Sequence, residues 1–188
     1  YQRKAISTLN SVACEAISNV ITITVEDNTD PTISCPSNVS VNNDGGNCTG
    51  VVNYTAPVGT DNCPSPSTAL TAGLGTGSAF PVGMTTETYT VTDGSSNTAS
   101  CSFTVTVTDN ENPSISCPSN INVNNDAGEC EADVTFAATA TDNCSATVTY
   151  SQNSGTAFSV GTTTVTATAT DPTSNSANCT FDITVVDN

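Results

Sequence analysis

Two kinds of side chain in this sequence offer chemistry: carboxylates and thiols. Asp27, Asn28 and Asp30 open one stretch of chain, followed at intervals by Asp61-Asn62 and Asp93. Asp109, Asn110 and Glu111, then Asp142-Asn143, then Asp171 repeat that order. Calcium takes about six to eight hard oxygens, several of them from carboxylates. Carboxylates that converge without a cation repel one another, and this chain has few cations of its own. Its 18 Asp and Glu stand against two basic residues, Arg3 and Lys4. Ca2+ at two inter-domain junctions is therefore one reading of these residues. The other is that Asp-Asn-Cys and Asp-Gly are turn residues whose side chains bond their own backbone.

Nine cysteines occur with no CxxC pair and no histidine. That argues against zinc ligation and thioredoxin-type exchange and for structural disulfides in an oxidising, extracellular or cell-surface compartment. Catalysis is not expected. There is no His, no Lys or Arg from Asp27 onward, and no Ser beside a base. A net charge of −16 repels nucleic acid and anionic membrane surfaces. No apolar run approaches the ~20 residues of a membrane span.

The elements that must position these groups come in two copies. Asp27–Thr108 matches Asp109–Val186. Each copy opens with Asp-Asn-x-x-Pro-x-Ile-Ser-Cys-Pro-Ser-Asn. Each continues through an Asn-Asn-Asp turn, a second cysteine, Thr-Asp-Asn-Cys, Phe-x-Val-Gly and a Thr-rich strand, and a fourth cysteine precedes the last strand. Cys101, Phe103, Val105 and Val107 alternate with Ser and Thr, as do Cys179, Phe181, Ile183 and Val185. A period of two marks a strand with one buried face. Ile33, Val39 and Val41 mark a first strand, and Val52, Tyr54 and Ala56 a second. Short strands between Gly, Asn, Asp and Pro turns predict an all-β chain of tandem, disulfide-stapled immunoglobulin- or fibronectin-like sandwiches. Glu87 falls in phase with inward Tyr89 and Val91, where the second copy has Val165, and no sequence pattern accounts for it. Residues 1–26 read as the last hairpin of a preceding β-domain, Tyr1–Leu9 and Cys14–Val25, with the partner of Cys14 outside the chain. Residues 187–188 read as the start of a further linker, and the chain as part of something longer.

Setting Cys14 aside leaves four cysteines per copy and three pairings. Cys48 starts the second strand at the far end of the domain, and Cys63 follows it at the linker end. About eight residues of strand, roughly 25 Å, separate them, whereas bonded cysteines have Cα atoms about 6 Å apart. Cys35–Cys48 fails similarly. The favoured pairing is Cys35–Cys63, Cys48–Cys101, Cys117–Cys144 and Cys130–Cys179, with some bending needed for Cys48–Cys101.

The four motifs, in order and twice over, resemble the hyalin repeat (HYR domain). Ser159 stands where the first copy has Pro81 in Phe-Pro-Val-Gly. The resemblance implies an immunoglobulin-like or fibronectin-like sandwich from an extracellular adhesion protein or a very large bacterial surface protein. The Asp, Asn and Pro linkers are similar to the calcium-stiffened junctions of cadherins. In that arrangement Asp27, Asn28, Asp30, Asp61 and Asp93 serve one junction, and Asp109, Asn110, Glu111, Asp142 and Asp171 the next. Without calcium, Asp30-Pro31 and Asn112-Pro113 act as semi-rigid hinges.

The expected function is a spacer or shaft segment of a large cell-surface adhesin or extracellular filament, whose partners are the other domains of the same long chain. The alternative is a module that binds glycans or proteins within a secreted multidomain protein. A third reading is filament self-assembly by strand addition from residues 1–25. Thr162–Thr168 reads as a solvent-facing β surface rather than an ice- or glycan-binding face. Glycosylation sequons stand at Asn38, Asn47, Asn53, Asn143 and Asn178.

Overall fold

The computed structural model of the chain describes residues 4–9, 12–17 and 25–188. Strands β1 (Lys4–Leu9) and β2 (Val12–Ile17) pair antiparallel. The rest of the expected hairpin, and the side chain of Cys14, lie outside the described residues. The first repeat contains β3 (Val39–Asn42), β4 (Thr49–Val52), β5 (Ser67–Ala72), β6 (Ser78–Pro81), β7 (Gly83–Thr92) and β8 (Thr98–Thr108). The second contains β9 (Ser114–Ser116), β10 (Ile121–Asn124), β11 (Glu131–Val134), β12 (Thr139–Thr141), β13 (Thr147–Tyr150), β14 (Thr156–Ser159), β15 (Gly161–Thr170) and β16 (Ser176–Val186). The described residues are all-β, and they contain no helix long and apolar enough to cross a membrane.

Each repeat is a sandwich of one four-stranded sheet against short strand pairs. The large sheets run β3-β8-β7-β5 and β10-β16-β15-β13. In each, the first strand lies parallel to the long last strand and the other pairings are antiparallel. The facing pairs are β4–β6 and β11–β14. The alternation read from the sequence sets the buried face. Phe103, Val105 and Val107 on β8, and Phe181, Ile183 and Val185 on β16, point inward. They pack on Val52 and Phe80 in the first repeat and on Ala132, Val134 and Phe158 in the second. Burying each large side chain contributes about 2–3 kcal/mol. The second strand of the first repeat ends at Val52, so Ala56 lies beyond it and is exposed.

Glu87 has a physical account. Its side chain is fully buried. It accepts hydrogen bonds from Tyr54 Oη at 2.7 Å and from the amides of Leu74 and Gly75 at 2.8 Å each. Gly73, at φ +105°, lies against the carboxylate with no room for a Cβ. The loop 73–75 thus wraps an anion in backbone N–H groups, and burial together with the Tyr89 and Glu87 hydrogen bonds pushes the Tyr54 phenol well above its usual range. The second repeat solves the same position without polar groups. Val165 replaces Glu87, Phe136 replaces Tyr54, and Phe136 packs edge-on against Tyr150, Phe158 and Phe181.

All four expected disulfides are corrected. The bonds are Cys35–Cys101, Cys117–Cys179 and, between the repeats, Cys48–Cys144. Among the described residues Cys63 and Cys130 are free thiols. Cys35–Cys63 fails because Thr32 pairs with Thr60 in antiparallel sense. Three residues beyond that bridge in each direction, the two cysteines have diverged by roughly 20 Å. Ser114 pairs with Thr141 in the same way, which separates Cys117 from Cys144. Cys48–Cys101 and Cys130–Cys179 fail by length. Cys48 and Cys130 sit at the far end, where their carbonyls accept the amides of Val82 and Val160. Cys101 and Cys179 lie six residues back along β8 and β16 from Val107 and Val185, which register with Gly83 and Gly161 at that end.

Glu87→Ala removes the carboxylate and strands three part-buried donors, so the first repeat is expected to lose about 2–3 kcal/mol. Denaturant unfolding monitored separately for the two repeats checks this. Val165→Ala in the second repeat is expected to cost about 1–2 kcal/mol, from lost packing alone.

Candidate functional site at the repeat junction

The short pairing at the head of each repeat positions the chemistry. β9 with β12, and the Thr32–Thr60 bridge, hold the linker beside the segment that precedes Asp-Asn-Cys. The linker aspartate therefore meets the loop aspartate and the third cysteine. Asp109, Asp142 and Cys144 each bring a ligand-type atom within 4.8 Å of the other two, and Asp27, Asp61 and Cys63 do the same.

At the second junction much of this hydrogen bonding is satisfied locally. Asp109 Oδ1 accepts the Glu111 amide at 3.1 Å and Asn143 Nδ2 at 3.3 Å. Asp142 Oδ2 accepts the amides of Cys144 and Ser145. These are the Asx turns expected of such residues. They leave a remainder: Asp109 Oδ2, Asp142 Oδ1 and Asn143 Oδ1 are buried and accept nothing. Asp109 as a whole is 2 % exposed. Buried acceptors without partners are rare and costly, and here three of them share one place. At the first junction Asp27 Oδ2 and Asp61 Oδ1 are likewise buried with no hydrogen bond of full geometry, and the Cys63 thiol shares their space. The Asp27 carboxylate pushes that thiol up to about 11, with burial and the charges of Asp27, Asp61 and Asp93 adding to the effect. Reciprocally, the thiol and then the Thr29 amide hold Asp27 below its ordinary range against the effect of burial.

The remaining expected ligands go elsewhere. Asp93 and Asp171 are buried, and both oxygens of each are used inside their own loops. Asp93 accepts the amides of Ser95 and Asn97 and the Asn97 side chain. Asp171 accepts the Asn175 amide and side chain and the Thr173 hydroxyl. These bonds hold Ser96 and Ser174 at positive φ. The Asn97 and Asn175 side chains then grip the backbone carbonyls of Asp27 and Asp109. Asp93 and Asp171 thus fix the linker aspartates from behind. Asn28, Asp30 and Asn110 are exposed. Glu111 turns away from the cluster toward the first repeat.

That turn belongs to a clasp that the sequence did not reveal. Glu111 Oε1 accepts the Gly46 amide at 2.8 Å and Asn43 Nδ2 at 3.4 Å. Asn43 Oδ1 accepts the Asn110 amide, and Asn143 Nδ2 donates to the Asn47 carbonyl. The Cys48–Cys144 bond closes the same contact, with Cα atoms 4.7 Å apart. Pro113 is buried. The missed signal was the placement of Cys48 at the far end of one repeat and Cys144 at the near end of the next, since stacking brings those ends together. The Asn143 amide is engaged across the junction, so of the five sequons this one is least open to a glycan. On the large sheets, Thr hydroxyls pair with one another and with Ser, as in Thr88–Ser102, Thr90–Ser100 and Thr162–Thr184.

The HYR domain family model matches residues 26–107 and again 108–185. No curated protein sequence matches the chain. Among solved structures, the protocadherin gammaB7 EC3-6 cis-dimer is similar at 16% identity and a TM-score of 0.43, over 94% of this chain and 55% of that one. Drosophila N-cadherin EC1-3 is similar at 12% identity and 0.29, over 85% and 68%. The insect immune protein hemolin is similar at 14% and 0.32, over 100% and 56%. The chain thus spans little more than half of the first and third of these. At such scores they add nothing to the fold set by the strand pairings above.

Two outcomes are expected. Proteolytic mapping without reductant recovers a peptide pair joined through Cys48 and Cys144, and Cys48→Ser leaves Cys144 alkylatable. In acid, Asp171 contributes a limb of instability. Burial alone would raise its carboxyl, but hydrogen bonds from Asn175 and Thr173 hold it below the ordinary 3.8. A depressed folded value adds stability above the unfolded pKa, and that stability is lost as pH falls through the folded one. Melting temperatures taken downward from pH 5 are expected to fall below about pH 4, and less steeply in Asp171→Asn.

Proposed function

The chain belongs to the HYR domain family, and on that premise we propose that it is a rigid, non-catalytic spacer segment of an extracellular adhesion-related protein. The observation that carries this reading is the junction. One covalent bond and four hydrogen bonds cross between the repeats within a few residues of each other. A pair of domains tied in this way resists bending, which is what a shaft requires and what a flexible linker lacks. Disulfides support an oxidising, extracellular location. Cadherin and hemolin structures are among the similar ones, and hemolin is described in terms of homophilic adhesion.

Calcium stiffening forms the second part of the proposal. The residues present fit a hard cation. Asp109 Oδ2, Asp142 Oδ1 and Asn143 Oδ1 supply three oxygens with no other use, and two of them are anionic. Water and backbone carbonyls supply the rest of a calcium shell in many sites. The nearby sulfur is not a calcium ligand, and at the second junction it is already oxidised. Bound there, calcium would neutralise two carboxylates held within 4.8 Å of each other.

Thermal unfolding with millimolar calcium, with magnesium as control, tests this. An ion at about 100 times its dissociation constant adds about 2.7 kcal/mol, a rise of roughly 10–20 °C for a domain the size of one repeat. The double change Asp109→Asn, Asp142→Asn is expected to abolish the rise. An equal response to magnesium, or none to either ion, would remove calcium from the junction while leaving the disulfide-tied spacer intact.

A further inference from the structure

The junction inside this chain is assembled from two complementary ends, and each repeat carries both. The far end of the first repeat is a socket. Asn43 Nδ2 donates to the Asn47 carbonyl, the Asp44 amide donates to Thr49, and the Val82 amide donates to the Cys48 carbonyl. The far end of the second repeat has the same construction. Asn125 Nδ2 donates to the Glu129 carbonyl at 2.7 Å, the Asp126 amide to Glu131 and the Val160 amide to the Cys130 carbonyl. The likeness extends to the linker. The Asn188 amide donates to Asn125 Oδ1 at 3.0 Å, as the Asn110 amide does to Asn43 Oδ1 at 3.2 Å. The near ends are plugs. Cys144 is held by its amide on Asp142 Oδ2 and by Asn143 Nδ2 on its sulfur, and Cys63 is held by the matching Asp61 and Asn62 groups. One socket, Cys48, and one plug, Cys144, are bonded to each other. Among the described residues the other socket, Cys130, is an exposed free thiol, and the other plug, Cys63, is free as well.

We propose that Cys130 is the socket for a second inter-repeat disulfide, and that its partner is the third cysteine, in Asp-Asn-Cys, of a further HYR repeat stacked on the end of this one. Cys63 is the corresponding plug for a module carrying a socket on the other side. The shaft is then stitched covalently at every junction, each bond tying the second cysteine of one repeat to the third of the next. Each repeat also keeps its own internal staple, Cys35–Cys101 or Cys117–Cys179.

Bond formation needs an electron acceptor, and a small-molecule disulfide such as oxidised glutathione suffices. The Cys130 thiolate attacks one of its sulfurs and releases a thiolate. The incoming cysteine's thiolate attacks the Cys130 sulfur of the mixed disulfide and releases the second. Two protein thiols lose two protons and two electrons, and one disulfide becomes two thiols.

This inference rests on the spacer reading but not on its calcium, because the crosslink forms without the ion. The test lengthens the full chain by a second copy of residues 111–188 placed after Asn188, where Asp187-Asn188 stands in for Asp109-Asn110. The protein is oxidised in a glutathione buffer, alkylated and mapped without reduction. The Cys48–Cys144 crosslink in the same molecule reports that junctions assemble under those conditions. A peptide pair joining Cys130 to the appended counterpart of Cys144, in yield comparable to Cys48–Cys144 and absent in Cys130→Ser, is the expected result. Both cysteines alkylated in molecules whose Cys48–Cys144 bond has formed would overturn the proposal, as would Cys130 bonded to any other cysteine. A crosslinked chain without a calcium response would separate this inference from the metal site.

Discussion

Everything at the junction depends on a pairing of three residues with three. Ser114–Ser116 runs antiparallel to Thr139–Thr141, and that register sets what lies beyond each end of it. In one direction the linker carries Asp109 back toward the Asp-Asn-Cys loop. In the other, Cys117 is carried away from Cys144 and into the domain, where Cys179 meets it. The same short element thus brings two carboxylates together, sends one cysteine to the core staple and leaves another at the surface facing the neighbour. The first repeat achieves this with a single bridge, Thr32–Thr60.

The junction combines interactions with different lability. The Cys48–Cys144 bond answers to redox conditions, the Glu111, Asn43 and Asn143 hydrogen bonds to water access, and the carboxylate cluster to cations and acid. Asp93 and Asp171 belong to a supporting layer, since they shape the loops whose Asn97 and Asn175 side chains hold the linker aspartates in place. Their conspicuous position in the sequence reflects loop construction. The aspartates with spare oxygens are the ones that the pairing forces together.

Glu87 and Val165 show how one fold accommodates opposite chemistry at the same depth. A buried carboxylate is tolerated where a tyrosine and a glycine loop supply three donors, and the loop is tied down in return. Where the donors are absent, a valine and a phenylalanine fill the space. Each solution is internally consistent, and exchanging one member alone breaks it.

The sequence by itself determined the repeats, the all-β class, the inward faces of the long strands and the gathering of acidic residues at the linkers. These follow from local rules: period-two alternation, turn residues and self-similarity act over a few residues and can be read in order. Cysteine connectivity, the destination of each aspartate's second oxygen and the role of Glu87 were decided only by tertiary structure. Strand order places Cys48 at the far end and Cys63 at the near end, but the partner of Cys48 lies in the neighbouring domain. Which cysteine meets which depends on strand register at a bridge such as Thr32–Thr60, and on how one domain stacks on the next. Both are set by packing between segments far apart in the chain, and neither leaves a periodic trace in the sequence.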